Sequence, residues 1–300
     1  MSSLRSRIGF TLVELLVVIA IVGVLIAMSM PAIQMVREAA RRTSCAKQAS
    51  QVALALHSYE GSHRSLPPAI EFTKRITFLL HWQARLLPYI EQDSLKQLID
   101  QKLLQDIHVY YITERTTTIP VFQCASNPES GSVIKAEIGF LFSYVDYCGV
   151  AGVQLTDATG VFIGSVEANP KRKHQGVAFK EITDGLSNTL MFGERPPSDV
   201  GEGYGAWLGS QNYRAATTGM FEDAAGLAGD PDLSEDCLSK DPGFGPGIRG
   251  SRCDWTHHWS FHPGGANFAR ADASVEFVPY DVDRETLSAR ATRNGGESIK

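Results

Sequence analysis

The chain has 300 residues, of which 43 % are hydrophobic and 20 % charged, so it can bury a substantial core without relying on disulfides. A formal net charge of -5 and a pI near 5.9 argue against a nucleic-acid-binding protein. Its five cysteines form no C-x-x-C pair, which argues against a zinc ribbon or a thioredoxin-like motif.

The first predicted element is an apolar helix over residues 10–30, in which Glu14 is the only charged residue. At a rise of ~1.5 Å per residue, this helix spans roughly 32 Å, close to the ~30 Å hydrocarbon core of a bilayer. A cleavable signal peptide has a shorter apolar region that ends in small residues. Here the small residue Gly9 precedes the apolar run, so cleavage after it would keep the predicted membrane span on the mature protein.

The residues around Gly9 carry a family resemblance. The run Gly9-Phe-Thr-Leu-Val-Glu14, preceded by Arg5 and Arg7, resembles the leader of type IV prepilins and type II secretion pseudopilins. The resemblance implies cleavage after Gly9 by a prepilin peptidase, with Phe10 as the methylated first residue of the mature chain. It also implies that Glu14 pairs with the terminal amine of a neighbouring subunit. A carboxylate in lipid costs on the order of 2–3 kcal/mol and needs such a partner. The alternative is a plain membrane anchor that tolerates Glu14.

Residues 31–60 are predicted to continue the helix as an amphipathic segment. Pro31 is expected to kink the helix rather than end it. Beyond it, apolar residues recur at steps of four and three and so define one stripe, formed by Cys45, Ala49, Val52, Leu56 and Tyr59. Gly61 is the predicted C-cap. This half of the helix is therefore expected to pack on a globular body.

The body, residues 61–300, is predicted to be α+β. Two short helices are expected near residues 82–91 and 94–105, and another over 283–292. Residues 201–250 are rich in Gly and Asp and predict a long loop rather than a second domain. Between the helices, β-branched and aromatic runs predict strands at 119–123, 142–148, 161–163, 177–179, 190–193, 266–270 and 274–277, the last two joined by a hairpin turn over 271–273.

Segments across most of the chain resemble the bacterial domain-of-unknown-function family 1559. That resemblance implies a prepilin-type leader joined to an α+β body, and a C-terminal motif written H-x9-D-G that is associated with prepilin processing. His262 and Asp272 keep the spacing of that motif, but Ala273 replaces the glycine, which puts the turn geometry in question. The matching segments are Arg41-Arg42-x-x-Cys45, Ala53-Leu-Ala-Leu-His57-x-Tyr59, Leu66-Pro-Pro68, Leu87-Pro-Tyr-Ile-Glu-Gln92, Phe122-x-Cys124, Thr183-Asp-Gly185-x-Ser187-Asn-Thr189 and Phe261-His-Pro-Gly-Gly265-x-Asn267.

One cluster in the C-terminal part has transition-metal chemistry, because imidazoles and carboxylates can hold zinc. It consists of Asp254, His257, His258, His262 and Asp272. A simpler interpretation is that His262 hydrogen-bonds the following turn or Asp272 and so fixes the hairpin. We favour this structural role.

A second candidate is acidic. Asp230, Asp232, Asp236 and Asp241 are dense enough in oxygen ligands for calcium, and major pseudopilins carry a calcium-binding loop near the C-terminus. The EF-hand spacing is absent, however, so a solvated acidic loop is the simpler interpretation and no cofactor is predicted.

The segment around Asp184 and Gly185 contains Ser187, but that serine lacks the G-x-S-x-G elbow of a nucleophile. We expect Asp184 to cap a short helical turn instead.

Two disulfides are compatible with the five cysteines if the body lies outside the cytoplasm. Spacing alone does not select a pairing. Our prediction joins Cys45 to Cys124, and Cys237 to Cys253 across a Gly/Pro-rich loop.

Together these features predict a non-enzymatic, pilin- or pseudopilin-like structural subunit of the inner membrane, in a type II secretion or type IV pilus-like system. Its predicted partners are the prepilin peptidase and neighbouring pilin-like subunits. Its N-terminus is predicted to be cytoplasmic and its body periplasmic or extracellular. By the positive-inside rule, the opposite orientation is favoured by Arg37, Arg41 and Arg42. We assign the orientation from the prepilin-type leader, because the peptidase of the family it resembles acts on the cytoplasmic side. The alternative function is a membrane-anchored domain that binds a ligand or carbohydrate, with Tyr204, Trp255 and Trp259 as candidate aromatic contacts.

Overall fold

The structure is a computed structural model of the chain. It describes residues 11–72, 79–105, 107, 111–135, 139–154, 157–163, 176–197, 206–210, 217–218, 220–221, 243–251, 253–254 and 256–296. These residues form two compact units, 1–41 and 42–300. The second unit, called the body below, therefore includes the last part of the N-terminal helix together with the region predicted as residues 61–300.

The four α-helices of the described residues are α1 (Leu12–His63), α2 (Trp82–Arg85), α3 (Asp93–Leu104) and α4 (Arg284–Ala291). The ten strands are β1 (Ile70–Phe72), β2 (Leu79–His81), β3 (Val133–Lys135), β4 (Leu141–Ser143), β5 (Tyr147–Val150), β6 (Leu190–Glu194), β7 (Gly209–Ser210), β8 (Thr217–Thr218), β9 (Gly265–Arg270) and β10 (Val275–Pro279). The α+β class predicted from the sequence is confirmed.

Helix α1 is the predicted long N-terminal helix, and it continues through Pro31. It extends beyond Gly61, the predicted C-cap, to His63. The helix ends at Arg64, which adopts a left-handed φ of 63° and whose backbone N–H donates to Glu60 O at 2.6 Å. Gly61 therefore lies inside the helix, and a non-glycine residue makes the terminating turn.

The largest sheet has the strand order β10-β9-β6-β5-β8. All of its pairs are antiparallel except β5–β8, which is parallel. Two smaller antiparallel sheets have the orders β1-β2-β7 and β3-β4. Strands β7 and β8 come from the segment predicted as a long loop, so parts of that segment complete two of the sheets.

Several predicted strands are replaced by other structure. The predicted strand over 119–123 is wrong, because Pro120 begins a 3-10 turn, Pro120–Phe122. The predicted strand over 142–148 is split by Tyr144–Asp146 into the ends of β4 and β5. Residues 161–163 and 177–178 form no strand, although Val161, Phe162 and Val177 are fully buried. In these segments the hydrophobic runs indicate that the residues are buried, but they do not indicate that the backbone forms a strand.

The core of the body lies between the second half of α1 and the largest sheet. Val52, Ala53 and Leu56 of α1 are buried in the same cluster as Trp82 and Phe192. Trp82 contacts Phe162 and Phe192 at ring-centroid distances of 4.7 and 5.7 Å. Polar contacts fix the same helix. Tyr147 Oη donates to Cys45 O at 2.9 Å, and the Arg42 guanidinium lies 3.4 Å from the centroid of the Phe277 ring.

Candidate functional site

The start of α1 is closed by a reciprocal pair of hydrogen bonds between Thr11 and Glu14. The Glu14 carboxylate accepts from the Thr11 backbone N–H at 2.9 Å and from Thr11 Oγ1 at 2.7 Å. In return, Thr11 Oγ1 accepts from the Glu14 backbone N–H at 3.3 Å. This is the geometry of a capping box, which satisfies backbone donors that have no partner at a helix start. The carboxylate that the sequence analysis assigns to assembly is thus held at the helix start.

The first unit leaves its apolar side chains uncovered. By length and composition, α1 can cross a membrane, and none of the apolar stretch that qualifies is buried within the molecule. A surface this apolar is unstable in water and marks a lipid or protein contact. The large exposed hydrophobic residues run from Leu12 to Val36. Gly9 and Phe10, the predicted processing residues, lie outside the described residues.

A compact buried cluster lies in the body. Cys45 of α1, Cys124, Glu194 at the end of β6 and His262 bring one possible ligand atom each to within 4.8 Å of one another, and all four residues are buried. His262 Nε2 lies 3.4 Å from Cys124 Sγ and 3.3 Å from Glu194 Oε1. The two cysteines are joined in a disulfide. Four separate parts of the chain therefore meet at this point.

Hydrogen bonds from the surrounding chain orient the members of this cluster. Glu194 accepts from the Asn267 backbone N–H at 2.7 Å and from Asn267 Nδ2 at 3.1 Å. Cys45 Sγ accepts from the Ala125 backbone N–H at 3.1 Å. The backbone N–H of His262 donates to Ser260 Oγ at 2.9 Å. A buried carboxylate is tolerated only with donors of this kind, so Glu194 depends on Asn267 and His262.

Other titratable groups are buried nearby and have shifted pKa values. Burial raises the pKa of Asp146 to about 7, although its carboxylate accepts from the Cys124 backbone N–H and from Asn127 Nδ2, both at 2.6 Å. Burial lowers the pKa of His81 to about 4 and that of His258 to about 3. Both imidazoles are therefore neutral at physiological pH, and burial is the dominant cause of all three shifts.

The two ends of the predicted H-x9-D motif lie in different environments. His262 is buried beside Cys124 and Glu194, whereas the exposed Asp272 accepts from Ser274 N at 2.9 Å and from Ser274 Oγ at 2.6 Å. Asp272 thus holds the β9–β10 turn together with backbone hydrogen bonds from Arg270 N–H to Ser274 O and from Ala273 N–H to Arg270 O. His262 contacts Cys124 and Glu194 in the buried cluster, and its expected role in fixing the hairpin stays a prediction. His257 and His258 likewise lie outside that four-residue group.

Asp184 has a structural role that differs from the predicted local cap. Its carboxylate accepts from the backbone N–H groups of Gly295 and Gly296, at 2.7 and 3.0 Å, and so fixes the chain beyond α4. Gly185 has a positive φ of 97°, which favours glycine, and its carbonyl accepts from Thr189 Oγ1 at 3.1 Å.

The predicted Cys45–Cys124 disulfide is present in the structure, with the two Cα atoms 5.0 Å apart. Cys253 is also disulfide-bonded, while Cys237 lies outside the described residues. The calcium candidates Asp230, Asp232, Asp236 and Asp241 also lie outside the described residues.

Of the three candidate aromatic contacts, Tyr204 and Trp255 lie outside the described residues. Trp259 is only 2 % exposed, so its ring is part of the core rather than of an open binding surface.

Sequence reasoning missed two residues that organise these contacts. Glu194 is the last residue of the otherwise apolar strand β6 and belongs to no recognised motif, yet it is one of the four residues of the buried cluster. His57, within one of the family segments, places Nε2 2.8 Å from Ala271 O and so joins α1 to the hairpin. A charged residue at the end of a fully apolar strand was the available signal for Glu194.

Comparison with known proteins identifies the N-terminal segment first. Residues 4–30 match the prokaryotic N-terminal methylation motif. With the apolar first half of α1, this motif places the chain in the class of pilin-like, membrane-anchored proteins. Competence protein ComGC of Halalkalibacterium halodurans is 30 % identical over 73 residues, which cover 24 % of the chain and 72 % of that protein.

The body defines the family. Residues 34–285 match the family described as "Protein of unknown function (DUF1559)", and the chain belongs to that family. No solved structure matches the chain. The resemblance found in the sequence, a prepilin-type leader on a member of this family, is confirmed in both parts.

Proposed function

We propose that the chain is a non-enzymatic, pilin-like structural subunit, cleaved after Gly9 and inserted in the inner membrane with its body in the periplasm or outside the cell. In this proposal the first half of α1 lies in lipid until it packs against the same helix of other subunits. A prepilin peptidase and those subunits are its partners. The observation that carries the proposal is the methylation motif over residues 4–30 on an apolar helix whose large hydrophobic side chains are exposed among the described residues.

The disulfide supports the proposed location of the body. Cys45 and Cys124 are bonded, and such bonds persist in oxidising compartments while the bacterial cytoplasm keeps thiols reduced. Cys45 belongs to the same helix as the apolar segment, only a few turns beyond it. The helix therefore emerges from the membrane on the side where the disulfide is stable, opposite to the basic residues Arg5 and Arg7.

The Thr11–Glu14 cap supports the proposed assembly step. Glu14 needs a cationic partner once the helix enters an apolar environment, and cleavage after Gly9 would create an amine at Phe10. In a filament that amine comes from a neighbouring subunit, and the pair sets the axial register, as buried polar pairs do in coiled coils. The capping contacts hold the Glu14 carboxylate in place before the partner amine binds. The Glu14 side chain therefore loses little further conformational entropy on assembly.

Substitution of Glu14 tests this step. Glu14→Gln keeps a hydrogen-bond acceptor at the helix start and removes the charge, so we expect normal membrane insertion but weaker assembly. Loss of a desolvated ion pair worth about 2 kcal/mol lowers the association constant roughly 30-fold. Cross-linking between subunits in membranes, followed by separation of the covalent oligomers by size, measures the effect.

Glu38→Gln is the matched control, because Glu38 lies on the same helix beyond the apolar run and pairs with Arg41 at 2.7 Å. This control is expected to cross-link as the wild type does. Equal oligomer yields from Glu14→Gln and wild type, at equal membrane levels, would remove Glu14 from the assembly mechanism.

A further inference from the structure

The buried cluster of Cys45, Cys124, Glu194 and His262 has a donor set that the proposed function does not use. Two cysteine sulfurs, an imidazole and a carboxylate are ligands that zinc prefers, and soft thiolates select it over calcium or magnesium. From these residues we propose that the dithiol form of the body binds one Zn²⁺ through Cys45 Sγ, Cys124 Sγ, His262 Nε2 and Glu194 Oε1. This inference goes beyond the subunit function and does not depend on cleavage after Gly9.

The distances fit a tetrahedral ion. With Zn–S near 2.3 Å and Zn–N or Zn–O near 2.0–2.1 Å, the ligand atoms of a tetrahedral site lie about 3.3–3.8 Å apart. His262 Nε2 already lies 3.4 Å from Cys124 Sγ and 3.3 Å from Glu194 Oε1. The four ligand atoms all lie within 4.8 Å of one another. After reduction the two sulfurs must separate, and any ligand pair wider than that range must close in, to complete the tetrahedron.

The groups around the cluster suit a metal site. The two donors from Asn267 fix the Glu194 carboxylate, while the Ala125 N–H donates to Cys45 Sγ. Contacts of this kind orient metal ligands, and their loss weakens metal affinity about 10–100-fold. All four ligands are buried, so the ion would be enclosed by protein, as in structural rather than catalytic zinc sites.

Binding to the dithiol form is a proton exchange. Zn²⁺ replaces the thiol protons of Cys45 and Cys124, two protons leave, and His262 must be neutral to donate its lone pair. Reaching the dithiol from the disulfide in the structure takes two electrons and two protons, which the phosphine and water supply in the test below, and the zinc exchange that follows involves no change of oxidation state. The disulfide-bonded chain has no thiolate at Cys45 or Cys124 to offer, so it provides a matched control with the same sequence.

The test uses the full chain in detergent, reduced with a phosphine and compared with the disulfide-bonded chain, with Zn²⁺ and then Co²⁺ as probes. We expect one zinc per reduced chain by elemental analysis, and none on the disulfide form. Cobalt is expected to give a thiolate-to-metal charge-transfer band and the visible bands of a tetrahedral site. Reduced, folded protein that binds no zinc would overturn the proposal.

Variants separate this site from other thiols. His262→Gln and Glu194→Gln are expected to weaken zinc binding at least tenfold. The control Cys148→Ser/Cys253→Ser is expected to bind one zinc as before, since neither cysteine is in the cluster. Unchanged affinity in both cluster variants, or loss of zinc in the control, would contradict the assignment. If a cluster variant fails to fold, the cobalt spectrum of the wild type decides, and a missing charge-transfer band rejects the site.

Circular dichroism is recorded alongside, because reduction itself can unfold the body. If the reduced chain loses its fold, one equivalent of zinc is expected to restore it, as binding energy becomes folding energy in structural metal sites. Failure of zinc to restore the fold would count against the proposal.

Discussion

Ala273 occupies a backbone conformation that its side chain disfavours. Its φ is 67°, in the turn between β9 and β10, where the family motif has glycine. A β-carbon in the left-handed region costs roughly 1–2 kcal/mol, partly offset by the greater unfolded-state entropy of glycine. Replacement of the motif glycine by Ala273 left the geometry of this turn uncertain from the sequence. In the structure the hairpin forms with Ala273 in a glycine-like conformation.

Ala273→Gly is therefore expected to stabilise the protein by about 0.5–1 kcal/mol. The measurement is urea unfolding of the full chain in detergent, followed by tryptophan fluorescence. Ala289→Gly, inside helix α4, is the matched control and is expected to destabilise by roughly 1 kcal/mol. If both substitutions destabilise, the positive φ of Ala273 is not a source of strain.

Buried histidines make the folded state sensitive to acid. The pKa of His81 is about 4 and that of His258 about 3, below the ~6.5 of an unfolded histidine. The unfolded chain therefore binds more protons as pH falls from about 6.5 towards 4, and stability is lost in that window. Asp146 acts in the opposite sense, because its pKa of about 7 lets the folded state take up a proton first.

His81, His258 and Asp146 together are expected to give a net loss of about 1.4 kcal/mol per pH unit between about pH 6 and pH 4, and burial also lowers the pKa of His257, which adds to the loss. Urea unfolding at several pH values measures this slope. His81→Gln keeps a donor for Ala206 O, to which His81 Nδ1 donates at 2.7 Å, and is expected to flatten the slope. Asp146→Asn is expected to steepen it. Identical slopes in all three proteins would show that these groups do not titrate as described.

The residue-scale features that sequence reasoning reached are those with local signals. Glu14 stands out because it is the single charge in an apolar run, and Asp272 because it lies in a recognisable turn. The Glu194–His262 contact joins residues 68 positions apart, which no local pattern encodes. For the same reason the metal candidates chosen by proximity along the chain, such as His257, lie outside the buried cluster.

At the scale of elements, one disulfide fixes helix α1 to the body. The Cys45–Cys124 bond closes a loop with a sequence separation of 79 residues. Restricting a loop of that length in the unfolded chain stabilises the fold by about 4.5 kcal/mol in the chain-entropy model, and measured values are typically about 2–4 kcal/mol.

Replacing both cysteines, Cys45→Ala/Cys124→Ala, is expected to lower the free energy of unfolding by about 2–4 kcal/mol. Urea unfolding in the presence of a chelator, which excludes any metal contribution, gives the value. Cys148→Ala is the control, because Cys148 is buried and not bonded and its loss removes a single sulfur atom. A loss no larger than that of the control would mean that the disulfide does not anchor the helix.

Periodicity predicted helices better than strands. The stripe from Cys45 to Leu56 is buried as expected, because one helix face has to cover one core surface. Predicted strands failed where a buried apolar run does not form a continuous ladder, as over 161–163, where among the described residues Phe162 makes a single backbone hydrogen bond, from its N–H to Val150 O of β5 at 3.0 Å. Proline at position 120 was the local signal against a strand over 119–123.

At the scale of the whole molecule, family and fold class followed from the sequence, but the sheet arrangement did not. Strand β2 pairs with β7, more than 120 residues later, and β8 adds to β5 in parallel. Such pairings depend on the packing of the entire body, and the short strands β7 and β8 have no sequence pattern of their own. The structure groups residues 42–60, from the second half of α1, with the rest of the body.

The mass of the N-terminal peptide of the protein isolated from membranes tests the central proposal most directly. Cleavage after Gly9, followed by methylation of the new amine, predicts a chain that begins at Phe10 and carries one additional methyl group. Gly9→Val, which removes the small residue at the cleavage point, is expected to leave the chain uncut. A native chain that still begins at Met1, with residues 1–9 intact, would contradict the account, because no amine would then form beside Glu14.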